Sequence, residues 1–238
     1  MARFKNNINI VCVIQCRIGS TRLKKKSLRK LGNYSIIEWV VRRVKKSKRI
    51  NEIYIATTKK KEDDCLVKTA EKLKIKIYRG SVNNVFARFS AIAGKTCPNY
   101  IIRVCADNPF IDPNEIDKLI SKALYRKSDY IFNHVPYKNN NYIDGLGAEC
   151  LSSKAIAKLI KVKKNKTEKE HVTKYIWNNK KKFKFHYFFA SGISKDNNRK
   201  IKLDIDYPAQ YKFYNSIFKN YNDYPENLNL KFLIKKII

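Results

Sequence analysis

The chain has 238 residues, 44% of them hydrophobic, which is enough to bury a full core, so one domain over residues 1–238 is expected. No run approaches the roughly 18 apolar residues of a membrane-spanning helix, and the apolar stretch after the basic start is broken by Asn9, Gln15 and Arg17, unlike a signal peptide; a cytoplasmic protein without a membrane partner is expected. The net charge of +32 invites a nucleic-acid reading, but the excess is chiefly Lys, spread along the chain among many Asn and Ile as a compositional bias produces, so no specific nucleic-acid partner is expected.

The first element is the β-branched run Ile8–Ile14, which reads as a strand buried on both faces. Ser35-Ile36-Ile37-Glu38 is a capping box, and apolar positions 36, 37, 40, 41 and 44 follow at helical spacing. A strand at Ile53–Thr57, helical patterns at Glu62–Leu73 and Asn83–Ala93, and a strand at Tyr100–Cys105 come next. Asp112-Pro113-Asn114-Glu115 is a second helix start, with Pro at the first helical position and Asp112 as its cap. Beyond it lie a strand at Tyr130–Asn133, an Asn-rich loop at Lys138–Tyr142, helices at Ser152–Val162 and Thr167–Asn178, strands at Phe183–Phe189 and Ile201–Ile205, and a helix at Pro208–Lys219. Interleaved strands and helices imply an α/β fold with a mainly parallel sheet, whose ligands bind beyond the carboxyl ends of the strands.

The six cysteines form no C-x-x-C pair and are read as reduced core residues. The segment after the first strand carries the chemistry: Gln15-Cys16-Arg17-Ile18-Gly19-Ser20-Thr21-Arg22-Leu23-Lys24-Lys25-Lys26. Gly19 permits close backbone approach, Ser20 and Thr21 offer hydroxyl and N–H donors, and Arg17, Arg22 and Lys26 offset phosphate charge. Neither G-x-x-x-x-G-K-[ST] nor G-x-G-x-x-G is present, which disfavours P-loop ATPase and dehydrogenase readings.

This segment resembles the N-terminal signature of the sugar-acid cytidylyltransferases, the KDO and acylneuraminate type, and most closely the SpsF-like pattern Q-x-R-x-G-S-T-R-L-P-G-K. Only the Pro-Gly pair is replaced, by Lys24-Lys25, which is expected to loosen the turn that presents Lys26. The resemblance continues through Ile55-Ala56-Thr57-Thr58 with Asp63-Asp64, then Tyr78-Arg79-Gly80-Ser81, Val85 and Arg88, and Arg103-Val104-Cys105-Ala106-Asp107. It extends to Asp144-Gly145-Leu146-Gly147-Ala148-Glu149, Glu170-His171-Val172-Thr173 and Lys202-Leu203-Asp204-Ile205-Asp206.

The resemblance implies a Rossmann-like three-layer sandwich with a mainly parallel mixed sheet, the nucleotide-diphospho-sugar transferase fold. It divides the chain into a nucleotide-binding half, about residues 1–112, and an acceptor-binding half, about 113–238. Gln15, Arg17, Gly19, Ser20, Thr21, Arg22, Lys26, Thr57, Arg79, Gly80, Ser81 and Arg103 become nucleotide-binding candidates, with Arg79, Gly80 and Ser81 nearest the base. Asp144, Glu149, Glu170 and His171 become acceptor-binding candidates. Asp107 and Asp206 become Mg²⁺ ligands, since that ion takes one or two carboxylates and completes its shell with water and substrate phosphate. Asp204 aligns with a threonine of the pattern and is read as solvated, on the opposite face of a strand.

The implied reaction is attack of an acceptor oxygen on the α-phosphorus of a nucleoside triphosphate, CTP by the resemblance, with pyrophosphate leaving. Arg17, Arg22, Lys26 and Asp107 are the catalytic candidates, and the acceptor is a sugar acid or sugar phosphate destined for a surface glycan. A sugar-1-phosphate nucleotidyltransferase with another base, and a noncatalytic nucleotide or polyanion binder, stand as alternatives. Relatives are often dimers, which makes a homodimer an expectation, with Phe183–Phe189 as a candidate interface.

Overall fold

The computed structural model describes residues 8–191 and 201–237. The basic start at residues 1–7 lies outside them.

Strands β1 (Ile10–Gln15), β2 (Lys30–Leu31) and β3 (Tyr34–Ser35) precede helix α1 (Ile36–Val44). The capping box is formed: Ser35 Oγ accepts from Glu38 N–H and the Glu38 carboxylate accepts from Ser35 N–H. Then follow β4 (Glu52–Thr58), α2 (Asp64–Lys72), β5 (Lys76–Gly80), α3 (Val85–Thr96), β6 (Tyr100–Cys105) and α4 (Pro113–Arg126). Asp112 caps α4 by accepting from the Asn114 and Glu115 amides. The remainder is β7 (Tyr130–Phe132), β8 (Glu149–Ser152), α5 (Ser153–Lys161), α6 (Lys166–Glu170), α7 (Lys174–Asn178), β9 (Phe185–Tyr187), α8 (Pro208–Phe218) and α9 (Leu230–Ile237).

Seven strands form one sheet in the order β5-β4-β1-β6-β8-β7-β9. β5, β4, β1 and β6 are parallel neighbours. β8 alone runs against the rest, pairing antiparallel with both β6 and β7. The sheet is therefore mixed but mainly parallel, with helices on both faces. One face packs Cys12, Ile14, Ile55 and Val104 on α1, α2 and α4. The other packs Val11, Val13, Ala56 and Phe132 on α3 and α5. A third cluster joins Trp39 and Phe110 to α8 and α9 through Tyr214, Phe218, Leu233 and Ile234.

Four expectations are corrected. Residues 201–205 alternate as a strand would, with Ile201, Leu203 and Ile205 buried, yet only the single bridge Asp144–Lys202 forms. Their backbone instead crosses the end of the sheet, with Leu203 N–H donating to the Asp144 carbonyl and Ile205 N–H to the Asp107 carbonyl, both at 2.8 Å. The helix expected over Thr167–Asn178 breaks at His171, which ends α6 in extended backbone before α7 begins. Cys97 is exposed at the left-handed end of α3, whereas Cys12, Cys16 and Cys150 are core residues as expected; all six cysteines are free. The apolar segment around β9 spends most of its surface inside the fold: Phe183 and Phe188 are buried and Phe185 packs on Trp177, leaving Phe189 exposed.

Candidate active site

The cavity that matters opens beyond the carboxyl ends of β1 and β6, where parallel strands point unpaired backbone at a ligand. It holds about 300 Å³ and is lined by residues from the loop after β1, the end of β6, α3, the α6 end and the segment before α8. Of the nucleotide-binding candidates, Gln15, Arg17, Gly19, Ser20, Thr21 and Arg22 line it, and so do Lys26 and Arg103.

The loop from residue 16 to 26 is held from behind by a buried carboxylate. Asp63 accepts from the Ile18 amide at 2.8 Å, from Thr57 Oγ1 at 2.9 Å, from the Thr58 amide at 3.1 Å, and from Thr58 Oγ1. Burial pushes the Asp63 carboxyl up, but these donors outweigh it and hold its pKa below the ordinary value. The turn before Lys26 keeps its form despite the loss of Pro and Gly. Lys25 itself adopts the left-handed conformation, φ 52° and ψ 33°, where a glycine avoids Cβ strain. The Lys26 amide still closes on the Leu23 carbonyl at 3.1 Å. The expected loosening is therefore corrected: the substitution adds backbone strain, and Lys26 is delivered to the cavity all the same.

At the front of the loop, Lys26 Nζ lies 2.9 Å from both Asp107 Oδ2 and Asp206 Oδ1. Burial lowers the Lys26 pKa, yet the two carboxylates outweigh it and hold the ammonium above its ordinary value. Arg22 pairs with the other oxygen of Asp206 and lies over the Tyr207 ring. Two carboxylates, Asp107 just after β6 and Asp206 on the segment that crosses the end of the sheet, thus face each other across a cation beside a cationic loop. Among the described residues no group of three or more His, Cys, Asp or Glu side chains is arranged to hold a metal. That donor set, two hard oxygen ligands with room for water and phosphate, fits Mg²⁺ and does not fit Zn²⁺, which takes three or four protein ligands.

Glu170 and His171 reach the same cavity from the broken α6 end, and Arg17 Nη2 lies 3.8 Å from Glu170 Oε1. Glu149 does not reach it. It is buried opposite Arg103 in the β6–β8 register, pairs with Arg103, and accepts from Tyr130 Oη and from Thr173 Oγ1. The neighbouring His134 stays neutral, because burial and then the Arg103 charge push its pKa to about 3. Glu149 thus holds Arg103, whose guanidinium also donates to Gln15 Oε1. Asp144 lies beside a separate groove with Tyr137 and Lys202, and burial followed by the Asp204 charge raises its pKa to about 6.

Four nucleotide-binding candidates also stand away from the cavity. Thr57 is buried on Asp63, and Arg79 is turned onto the Thr58 and Lys60 carbonyls and Asp64. Ser81 accepts from the Asn84 amide, and Gly80 packs against Arg88. The expectation for Asp204 is corrected too. Read as solvated, Asp204 is instead half-buried, its Oδ1 without a hydrogen-bond partner. Arg88, quoted in the motif but not assigned to the site, lines the cavity together with Val85.

The family profile of the cytidylyltransferases matches residues 11–236, nearly the whole described fold. The chain belongs to the cytidylyltransferase family. It is 35% identical to the uncharacterized protein MJ1063 of Methanocaldococcus jannaschii, over 90% of this chain and 85% of that one. It is 29% identical to the spore coat polysaccharide biosynthesis protein SpsF of Bacillus subtilis, over 92% of this chain and 90% of the other. A cytidylyltransferase from Leptospira borgpetersenii superposes with a TM-score of 0.85 at 27% identity, covering 97% of this chain and 94% of that one. The CMP:2-keto-3-deoxy-manno-octonic acid synthetase solved with CTP shares the fold at a TM-score of 0.61 and 14% identity, over 88% of this chain and 98% of the other. No described helix is long and apolar enough to cross a membrane.

Proposed function

We propose that this cytidylyltransferase-family chain transfers the cytidylyl group of CTP to a sugar acid or a related precursor of a surface polysaccharide, with release of pyrophosphate. The observation that carries the reading is the pair Asp107 and Asp206 bridged by Lys26 at 2.9 Å on each side, at the rim of the cationic loop. The acceptor oxygen forms a bond to the α-phosphorus as the bond to the bridging oxygen of pyrophosphate breaks, and the acceptor proton passes to solvent.

Arg17, Arg22 and Lys26 take the charge of the leaving pyrophosphate, since their partners are carboxylates that phosphate oxygens can replace. Arg103, aimed by Glu149, supports the nucleotide on the β6 side. Asp107 and Asp206 would hold Mg²⁺, which supplies neutralisation of charge developing at the α-phosphate. Glu170 and His171 line the cavity and are the groups assigned here to the acceptor. Cys16 and Cys105, although in the cavity, are kept protonated by burial, which pushes the Cys16 pKa to about 12 and raises that of Cys105, so neither thiol competes with direct transfer.

The test is pyrophosphate release from each of the four nucleoside triphosphates, with Mg²⁺, against sugar acids and sugar phosphates, with EDTA as control. Metal-dependent release from CTP with a sugar acid is the expected result. Release from another triphosphate with a sugar-1-phosphate would replace the reading with its nearest alternative, and nucleotide binding with no release under any acceptor would leave a binding protein.

A further inference from the structure

The positive charge of this chain is laid out unevenly. Residues 101–150 hold six basic and seven acidic side chains, whereas residues 154–184 hold twelve lysines, no arginine and two glutamates. A uniform compositional bias towards Lys does not produce that contrast. The other basic run, residues 17–49, supplies the cavity with Arg17, Arg22 and Lys26 and the fold with Arg42, paired to Glu226, and the buried Arg43. The lysines of 154–184 have no such employment. Nine of the twelve are exposed, and among the described residues only Lys158 forms an ion pair, with Asp129. The two glutamates of the run are engaged, Glu168 in the capping box of α6 and Glu170 with Arg17.

These lysines share one side of the molecule. α5, α7 and the turn before α7 bury Ile156, Leu159, Val172 and Ile176 in the same core as α3, so their other surfaces face solvent together. Lys158 on α5 donates to the Lys182 carbonyl at 3.2 Å, and Lys164 lies over the Phe86 ring of α3, which joins these elements into one surface. The surface runs the height of the sheet. At its foot, Ser153 N–H donates to the Asn99 carbonyl just before β6; at its top, His171 lines the active-site cavity. Between α3 and α5 at the foot is an open groove of about 350 Å³ whose lining includes Ala93, Pro98, Ala157 and Ile160. Ile160 is 57% exposed and is followed directly by Lys161.

We infer that this face docks on an anionic phospholipid surface, its lysines over the headgroups and Ile160 entering the interface. Lysines spread over a surface, with an apolar contact among them, match a field of headgroup charge above acyl chains. Nucleic-acid recognition draws on arginine forks and open aromatic stacking faces. This face has no arginine, and its Trp177 and Tyr175 rings already lie under Lys180 and Lys182. A second copy of the chain is disfavoured, because two such faces repel. Sequence reading expects no membrane partner because no segment can span a bilayer, but a peripheral contact needs no span. Docking on this side sets the cavity rim at Glu170 and His171 beside the lipid.

The experiment is co-sedimentation of the full chain, without nucleotide, with vesicles of phosphatidylcholine alone or of equal parts phosphatidylcholine and phosphatidylserine, at low and high salt. Wild type is compared with a charge reversal on the face, Lys154→Glu, Lys166→Glu and Lys181→Glu together, and with the same reversal elsewhere, Lys46→Glu, Lys48→Glu and Arg49→Glu, which gives an identical net charge. Wild type is expected on the anionic vesicles only, released as salt rises. The reversal on the face lowers partitioning about 100-fold, roughly fivefold for each lysine withdrawn, and the reversal elsewhere leaves it within about threefold. Ile160→Ala lowers it roughly fivefold. Melting midpoints of all variants, and pyrophosphate release by the reversal on the face, stay at the wild-type level, since the exchanged side chains are exposed and outside the cavity. Equal loss in both reversals overturns the inference by marking bulk charge, as does equal binding to neutral vesicles or an unchanged Ile160→Ala. Single-stranded RNA that displaces the chain from vesicles, and binds it through the same lysines, overturns it in favour of a nucleic-acid face. Sedimentation is read without nucleotide, so its result stands apart from the transferase reading.

Discussion

Two carboxylate centres flank the loop between β1 and Lys26, and they are built in opposite ways. Behind the loop, Asp63 is buried and saturated by two backbone amides and two threonine hydroxyls. In front of it, Asp107 and Asp206 are partly exposed, and the side chains that hold them among the described residues are Lys26 and Arg22. Backbone donors cannot be withdrawn without unfolding the loop, whereas a lysine or arginine can be drawn off by a phosphate. The saturated centre is scaffold, and the exchangeable one is where chemistry can happen.

The largest expected effect falls on the exchangeable centre. Asp107→Asn keeps shape while removing charge, and turnover should fall at least about 10²- to 10³-fold. The melting midpoint should hold, because Lys26 keeps Asp206. Near-wild-type pyrophosphate release in this variant would remove Asp107 from the site.

Asp63→Ala should do the reverse, costing roughly 3 kcal/mol of stability by stranding buried donors. Denaturant unfolding measures it. The sign with pH follows from the lowered pKa: the stabilisation is fully present above the ordinary carboxyl value of 3.8 and is lost as pH falls below it toward the folded value. The variant should lack that part of the acid-side decline, and an unchanged acid profile would mean that Asp63 is not the saturated centre described.

Glu149→Gln tests a mixed case, a buried carboxylate whose partner points into the cavity. Loss of charge opposite Arg103 should cost roughly 2 kcal/mol and, because Arg103 loses its aim, lower turnover by about tenfold. A stability loss without any kinetic change would make Glu149 scaffold only. The smallest effect is expected at Lys25. Replacement by Gly relieves left-handed strain but loosens the unfolded chain, for a net gain of about 0.5 kcal/mol. A loss on thermal melting would mean the lysine side chain contributes contacts of its own.

Much of this was legible in short stretches of sequence. The caps at Ser35 and Asp112 and the strand at Tyr100–Cys105 depend on residues a few positions apart, and all are found as read. The loop at 15–26 and the segment at 103–107 duly line one cavity. What escaped were features set by distant partners. β8 carries a charged residue at its start, and its four residues, Glu149–Ser152, give no periodicity to detect. Glu149 seemed a ligand-facing carboxylate until the antiparallel register set it against Arg103.

Local patterning therefore determined most helices, most strands, the family and the cationic loop, because caps, alternation and turn chemistry act within one or two turns of chain. Only the tertiary structure decided which charged groups meet. Lys26 and Asp206 are 180 positions apart, and their contact exists because residues 201–206 cross the carboxyl end of the sheet beside β6. The fate of each arginine was decided in the same way: Arg79, Arg88 and Arg103 carry the same guanidinium, and what packs around each determines whether it is held, left short of acceptors, or aimed.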